Sequence, residues 1–248
     1  MTDALPTAFG FLLVVLRCAG LFITAPVLGL RPVPARLRLS AAFAVAVAAF
    51  MGAGAPAYAA WDQAHVMIIA ALSEALVGLS AGLIAMFSIE AAAGAGHLMG
   101  VSMGLGMGSL IDPINGHESS AISQLLSFLA LGCAVGMGIH REAVAWVCRS
   151  IIDMPPGVPA DVSDLALRVV TQAAGALALA VRLAFPVLAA VTIGHLSLGL
   201  LGRVAPQMGL SNVGFALALL AGMGALYFVA PAAAAVAAQA ARSALVVH

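Results

Sequence analysis

Lysine is absent from this chain of 248 residues, and charge of either sign is scarce. Ten arginines and ten acidic residues together make up 8% of the sequence. A soluble globular domain carries about a quarter charged residues. A chain this poor in charge does not cover a water-facing surface, which excludes an ordinary soluble enzyme. Disorder is excluded too, because it needs low hydrophobicity and high charge. The formal net charge is zero, so nothing points to nucleic acid. With no lysine, a phosphate-binding loop of the form GxxxxGK[ST] cannot be built, and no HExxH zinc pair occurs. The three cysteines, Cys18, Cys133 and Cys148, are far apart and odd in number. They have neither metal spacing nor a disulfide framework, and read as small apolar packing residues. The six histidines are scattered and read as structural or interfacial. Ser102 and Ser109 do not stand in a recognisable Ser, His and Asp motif. The glycines around Gly104 and Gly106 lack the preceding strand and acidic partner of a dinucleotide site. The sequence therefore predicts no catalytic residue, no cofactor and no metal.

What is present is apolar: 63% of the residues are hydrophobic, and the mean hydropathy is +1.13. A hydrocarbon core takes about 20 mostly apolar residues in a helix. Six segments qualify: Ala4 to Thr24, Leu39 to about Ala55, Ala64 to past Glu90, Ile122 to about Ile152, Val162 to Leu201, and Leu210 to Ala230. The fifth is expected to bend at Pro186, and the last to stop before Pro231 and an alanine-rich tail. The third and fifth exceed one span, which predicts hairpins or tilted helices. Asp3 ahead of the first apolar run, and Arg17 within it, are unlike a cleaved leader, so that segment is expected to be retained. The basic stretch Arg31 to Arg38 is expected on the cytoplasmic side.

Ionisable residues interrupt these segments: Glu74 and Glu90 in the third, Arg168, Arg182 and His195 in the fifth. Such groups face protein or water rather than lipid. Either each is satisfied inside a helix bundle, or together they line a conduit or a subunit interface.

The most unusual stretch runs from Gly94 to Gly116. Gly96, Gly100, Gly104 and Gly108 recur every four residues, with Met99, Met103 and Met107 alongside. On a helix the glycines share one face, where small residues admit a close neighbour. One reading is a packing seam with methionine as filler. The other starts from the cost of glycine in a helix, about 1 kcal/mol each relative to alanine, and the adaptability of methionine. It makes the stretch a deformable seal. Asp112-Pro113 then breaks the segment, Asn115-Gly116 signals a turn, and one of Ser119, Ser120 and Ser123 is expected to cap the fourth helix.

Four stretches, in order through nearly the whole chain, resemble the FliR/SctT family of the type III export apparatus. They are Thr24-Ala25-Pro26-Val27-Leu28 with Val33-Pro34-Ala35-Arg36 and Arg17 upstream; Glu74-Ala75-Leu76-Val77-Gly78; Met103-Gly104-Leu105 through Leu110-Ile111-Asp112-Pro113; and Leu198 through Gly202-Arg203-Val204-Ala205-Pro206-Gln207-Met208 with Val213-Gly214-Phe215. Gly138-Ile139-His140 and Gly202 depart from the family, which often has asparagine there. The resemblance implies an all-α membrane protein of about six apolar segments, some as bent hairpins, in a hetero-oligomeric helical assembly. It implies a single export-gate domain over residues 1–248 in the bacterial inner membrane, at the flagellar basal body, rather than an enzyme. The implied partners are FliP and FliQ, with FlhB and FlhA as neighbours, unfolded export substrates and membrane lipid. It assigns a plug-like loop to about 106–120, with Met103, Gly104, Leu105, Gly106, Met107, Gly108, Asp112, Pro113, Asn115 and Gly116 as gating residues. Subunit packing falls to Arg17, Pro26, Pro34, Arg36, Glu74, Gly96, Gly100, Arg203, Pro206 and Gln207. The motifs read closer to the flagellar than to the virulence branch. The competing reading is a stand-alone secondary transporter using Glu74 and Glu90 as proton sites, although no internal repeat of the kind common in transporters is evident.

Overall fold

A computed structural model describes residues 4–26, 34–56, 58, 64–105, 120–204 and 211–247. Seven helices and no strand occur among them: α1 (Ala4–Thr24), α2 (Ala35–Gly52), α3 (Ala64–Ser102), α4 (Ala121–Gly136), α5 (Ile139–Asp153), α6 (Val162–Val204) and α7 (Ser211–Val247). Five are long and apolar enough to cross a membrane, or up to six if α4 and α5 count as one bent span.

The helix ends follow local chemistry. α2 stops where Gly54 takes the left-handed conformation at φ +79°. Its N–H reaches the Met51 carbonyl (3.2 Å), and the next N–H reaches the Phe50 carbonyl (3.0 Å); both bonds satisfy carbonyls that a helix end leaves open. The fourth apolar segment, continuous by hydropathy, is broken in the structure. Gly138 at φ +77° separates α4 from α5, and the two helices meet at 61°. Asp161 caps α6 by accepting from the Ser163 hydroxyl and from the Ser163 N–H (2.9 Å). These two bonds hold its carboxyl below the usual 3.8.

The two longest segments do not turn back on themselves. α3 has 39 residues and α6 has 43, about 58 and 65 Å at 1.5 Å per residue. Pro186 lies inside α6 without ending it. α7 likewise continues through Pro231, against the expected stop. A proline inside a helix costs about 3 kcal/mol. Here the helix carries a buried alanine face on both sides of it: Ala230, then Ala233, Ala234, Ala237, Ala238 and Ala241. Stopping at Pro231 would forfeit the packing of that face.

The chain divides into two compact units. The first comprises Met1–Phe87, Ala134–Ala173 and Ala240–His248; the second comprises Ser88–Cys133 and Ala174–Gln239. In the first unit Leu13, Val14, Cys18 and Leu21 of α1 are fully buried, and Phe11 packs edge-on against Phe43 and Phe50 of α2. α1 and α3 approach to backbone distance along Gly20, Gly78 and Gly82. A Cβ at Gly20 would stand 2.7 Å from the Ala75 carbonyl, and one at Gly78 would collide with the Arg17 carbonyl. Helix pairs in lipid gain little from the hydrophobic effect and depend on such close packing. The second unit buries Ala92, Ala95 and Met99 of α3, Met103 just past its end, Ile122 and Leu126 of α4, Val187 and Val191 of α6, and Ala218 and Leu226 of α7.

Candidate functional site

Residues 106–119 lie outside the described residues, but both flanks are described and lie close together. On the α3 side, Gly104 stands at φ +80°. Its N–H donates to the Val101 carbonyl (3.0 Å), and the Leu105 N–H donates to the Gly100 carbonyl (3.0 Å). This bond pair is a left-handed glycine terminator. Gly104 therefore ends the helix instead of extending the glycine face. On the α4 side, Ser120 is the capping serine: its Oγ accepts the Ser123 N–H at 3.1 Å.

The two flanks are pinned to each other by the glycines of α3. A Cβ at Gly96 would stand 2.6 Å from Ser123 Cα, and one at Gly100 would stand 2.8 Å from Ser120 Oγ. Ser123 Oγ donates across the seam to the Ala93 carbonyl (2.7 Å). Gly96 and Gly100 thus form a close-approach seam inside this chain. Met99 and Met103 are fully buried; Met103 fills the space that a Cβ at Gly222 of α7 would take. Both methionines are core packing residues here. Leu105, just past the terminator, is 42% exposed.

The second polar constellation sits in the first unit, where Arg17 and Glu74 are each 1% exposed. Arg17 Nε donates to Glu74 Oε2 (2.6 Å) and Nη2 to Glu74 Oε1 (3.0 Å), a two-pronged ion pair. The same guanidinium closes the end of α5. Nη1 donates to the Ser150 carbonyl (2.7 Å) and Oγ (3.1 Å), and Nη2 donates to the Met154 carbonyl (3.0 Å). Cationic donors at a helix C-terminus meet its open carbonyls and its dipole. Glu74 Oε1 also accepts the Gly157 N–H (2.9 Å), and Ser73 Oγ accepts the Ala160 N–H (2.8 Å). Gly157 is at φ +92°, and a Cβ there would run into the Tyr58 ring. Arg17 and Glu74, expected at subunit contacts, are satisfied within the chain. Their partners come from α1, α3, α5 and the connector to α6.

The remaining expected residues are dispersed. Pro26 is half-buried after α1, while Pro34, Arg36 and Arg203 are exposed. Gly106, Met107, Gly108, Asp112, Pro113, Asn115, Gly116, Pro206 and Gln207 lie outside the described residues. Two features were passed over at the level of sequence. The Gly78-to-Gly82 spacing is a small-residue pair of the kind that seats a crossing helix, and Gly136-Met137-Gly138 signals the break before α5. No three His, Cys, Asp or Glu side chains gather to hold a metal ion among the described residues.

The family model described as "Bacterial export proteins, family 1" matches residues 8–244. Flagellar biosynthetic protein FliR of Bacillus subtilis is 32% identical over 210 residues, covering 84% of this chain and 80% of the relative. FliR of Escherichia coli is 28% identical over 212 residues, covering 84% and 79%. FliR of Caulobacter vibrioides is 27% identical over 223 residues, covering 86% and 85%. With a pinned inter-helix connection and an internally paired arginine inside a match that covers nearly the whole chain, this chain belongs to family 1 of the bacterial export proteins.

Proposed function

We propose that this chain is a channel-wall subunit of the flagellar type III protein-export gate in the bacterial inner membrane. It is a membrane protein and a transport component, in keeping with its apolar helices and its FliR relatives. FliP and FliQ complete the wall, FlhB and FlhA adjoin it, and unfolded flagellar proteins are the cargo. The whole chain serves as one gate domain, and residues 106–120 act as its plug.

The observation that carries the plug reading is the pair of fixed flanks, the Gly104 terminator and the Ser120 cap, drawn together at Gly96 and Gly100. A closure has to be held firmly at its base while its tip yields to a passing chain. Glycine and methionine in the intervening sequence suit a tip that adapts to many shapes.

The test replaces residues 106–119 with a short Gly-Ser tether, leaving Gly104 and Ser120 in place. The assembled gate is then assayed for small-solute leak across membranes. Copurification with FliP and FliQ, together with raised permeability, is the expected outcome. Unchanged permeability in an intact assembly overturns the plug role, and loss of FliP and FliQ from the wild-type preparation overturns the gate role.

A further inference from the structure

The second acid of α3 is placed quite differently from the first. Glu90 is exposed, and among the described residues no cation pairs with it. It opens into a recess of about 280 Å³ between α3 and α4, lined by Glu90, Ala93, Ser123, Gln124, Ser127 and Phe128. Exposed apolar side chains stand on the same helix: Leu125 is 48% exposed, Phe128, which lines the recess, 71% and Leu129 39%. A Cβ at Gly132, one turn further along α4, would meet nothing within 4 Å. An unpaired carboxylate framed by exposed leucine and phenylalanine suits neither water nor lipid. Such a group in an apolar setting costs about 2.5–3.5 kcal/mol until it is met.

We propose that this recess receives an arginine side chain from a helix of another subunit, a site distinct from the plug and its anchors. The lining matches a guanidinium better than an ammonium. The Glu90 carboxylate accepts two parallel N–H bonds from a planar fork. Hydroxyl and amide oxygens on the α4 wall take the remaining donors, and the exposed Phe128 ring offers a face on which the cation stacks. A bare lipid tail satisfies none of these groups, and a phosphate headgroup is repelled by the carboxylate. The incoming helix rests its apolar side on Leu125, Phe128 and Leu129, with Gly132 leaving room for close approach. The inference rests on the gate reading only in taking the partner from the same membrane assembly.

A photocrosslinking amino acid at position 128, in the full-length chain within its native membrane assembly, tests this. The crosslinked peptide is identified by mass spectrometry. The expected product joins position 128 to a partner helix that carries an arginine within one turn of the crosslink. Glu90→Arg should then lower recovery of that partner by at least about tenfold, the scale of losing one member of a desolvated charge pair. Reversing the partner's arginine to glutamate should restore it. Glu90→Gln, which keeps the shape of the side chain, should fall between wild type and Glu90→Arg. The inference is overturned by crosslinks to lipid alone, to a second copy of this chain, or to a helix without arginine. It is also overturned if the Glu90→Arg assembly has wild-type partner content. Because wild-type copurification is scored separately, an assembly that holds together with an indifferent Glu90 refutes the recess and leaves the gate reading standing.

Discussion

At the residue scale, Arg17 is the most connected polar side chain described, and its role was only half legible in the sequence. Its presence in an apolar run announced that it needed a partner. Nothing in the spacing of 57 residues to Glu74 named that partner, because the pairing depends on how α1 and α3 cross. The crossing is set by Gly20, Gly78 and Gly82, whose absent side chains let the two backbones touch. Breaking a buried ion pair by removing one member costs about 3–5 kcal/mol, whereas replacing both by packed apolar groups is far cheaper. Arg17→Met and Glu74→Leu should therefore each cut the yield of folded chain in membranes severely, and the double variant should recover much of it. Thermal aggregation midpoints in detergent measure the difference. Equal losses in single and double variants would mean that the guanidinium matters more as the clasp on Ser150 and Met154 than as Glu74's counter-ion.

At the element scale, hydropathy laid an apolar run over each described helix but joined α4 and α5 into one, because runs of apolar residues report membrane span and not its breaks. It missed the ends, because those are decided by single backbone conformations. Gly138 breaks a run that stays apolar across the break, and Pro231 fails to break one because the alanine face continues beyond it. The expectation that a serine near 120 caps α4 was sound, since capping is local and readable. The glycine ladder was legible as a seam but not as a seam with an end: nothing in the spacing marks Gly104 as the one that takes a left-handed φ of +80°. The two anchors therefore respond to different substitutions. Ser120→Ala removes a cap worth about 1 kcal/mol. Gly104→Ala forces a Cβ into the left-handed region at about 1–2 kcal/mol. Each should make residues 106–119 more sensitive to limited proteolysis while leaving the helices intact by circular dichroism. Gly104→Asn, which tolerates that conformation, should stay close to wild type. If Gly104→Ala is indistinguishable from wild type in cleavage rate, the terminator does not hold the base of the loop.

At the scale of the whole molecule, the surface is the inverse of a soluble protein's. On α6, Leu177 is 71% exposed, Phe185 66% and Leu196 69%; on α7, Leu220 is 71%, Tyr227 78% and Phe228 80%. In water, large patches of this kind mark association or membrane contact. The same helices bury mostly alanine and valine inside the chain. Their small residues thus serve the interior and their large ones serve whatever lies outside. An aspartate at an exposed site of a soluble protein changes stability by no more than about 0.5 kcal/mol, but at the centre of a membrane helix it costs about 2.5–3.5 kcal/mol. Phe228→Asp separates these environments more sharply than any core substitution, because Phe228 touches little of its own chain. It should lower the membrane-inserted fraction by roughly two orders of magnitude, the equivalent of that range. Phe228→Leu should remain at the wild-type level, with carbonate extraction as the readout. Insertion and assembly both unaffected by Phe228→Asp would mean that this face meets water, and the outward apolar surface of α7 would then need an explanation other than lipid or a neighbouring helix.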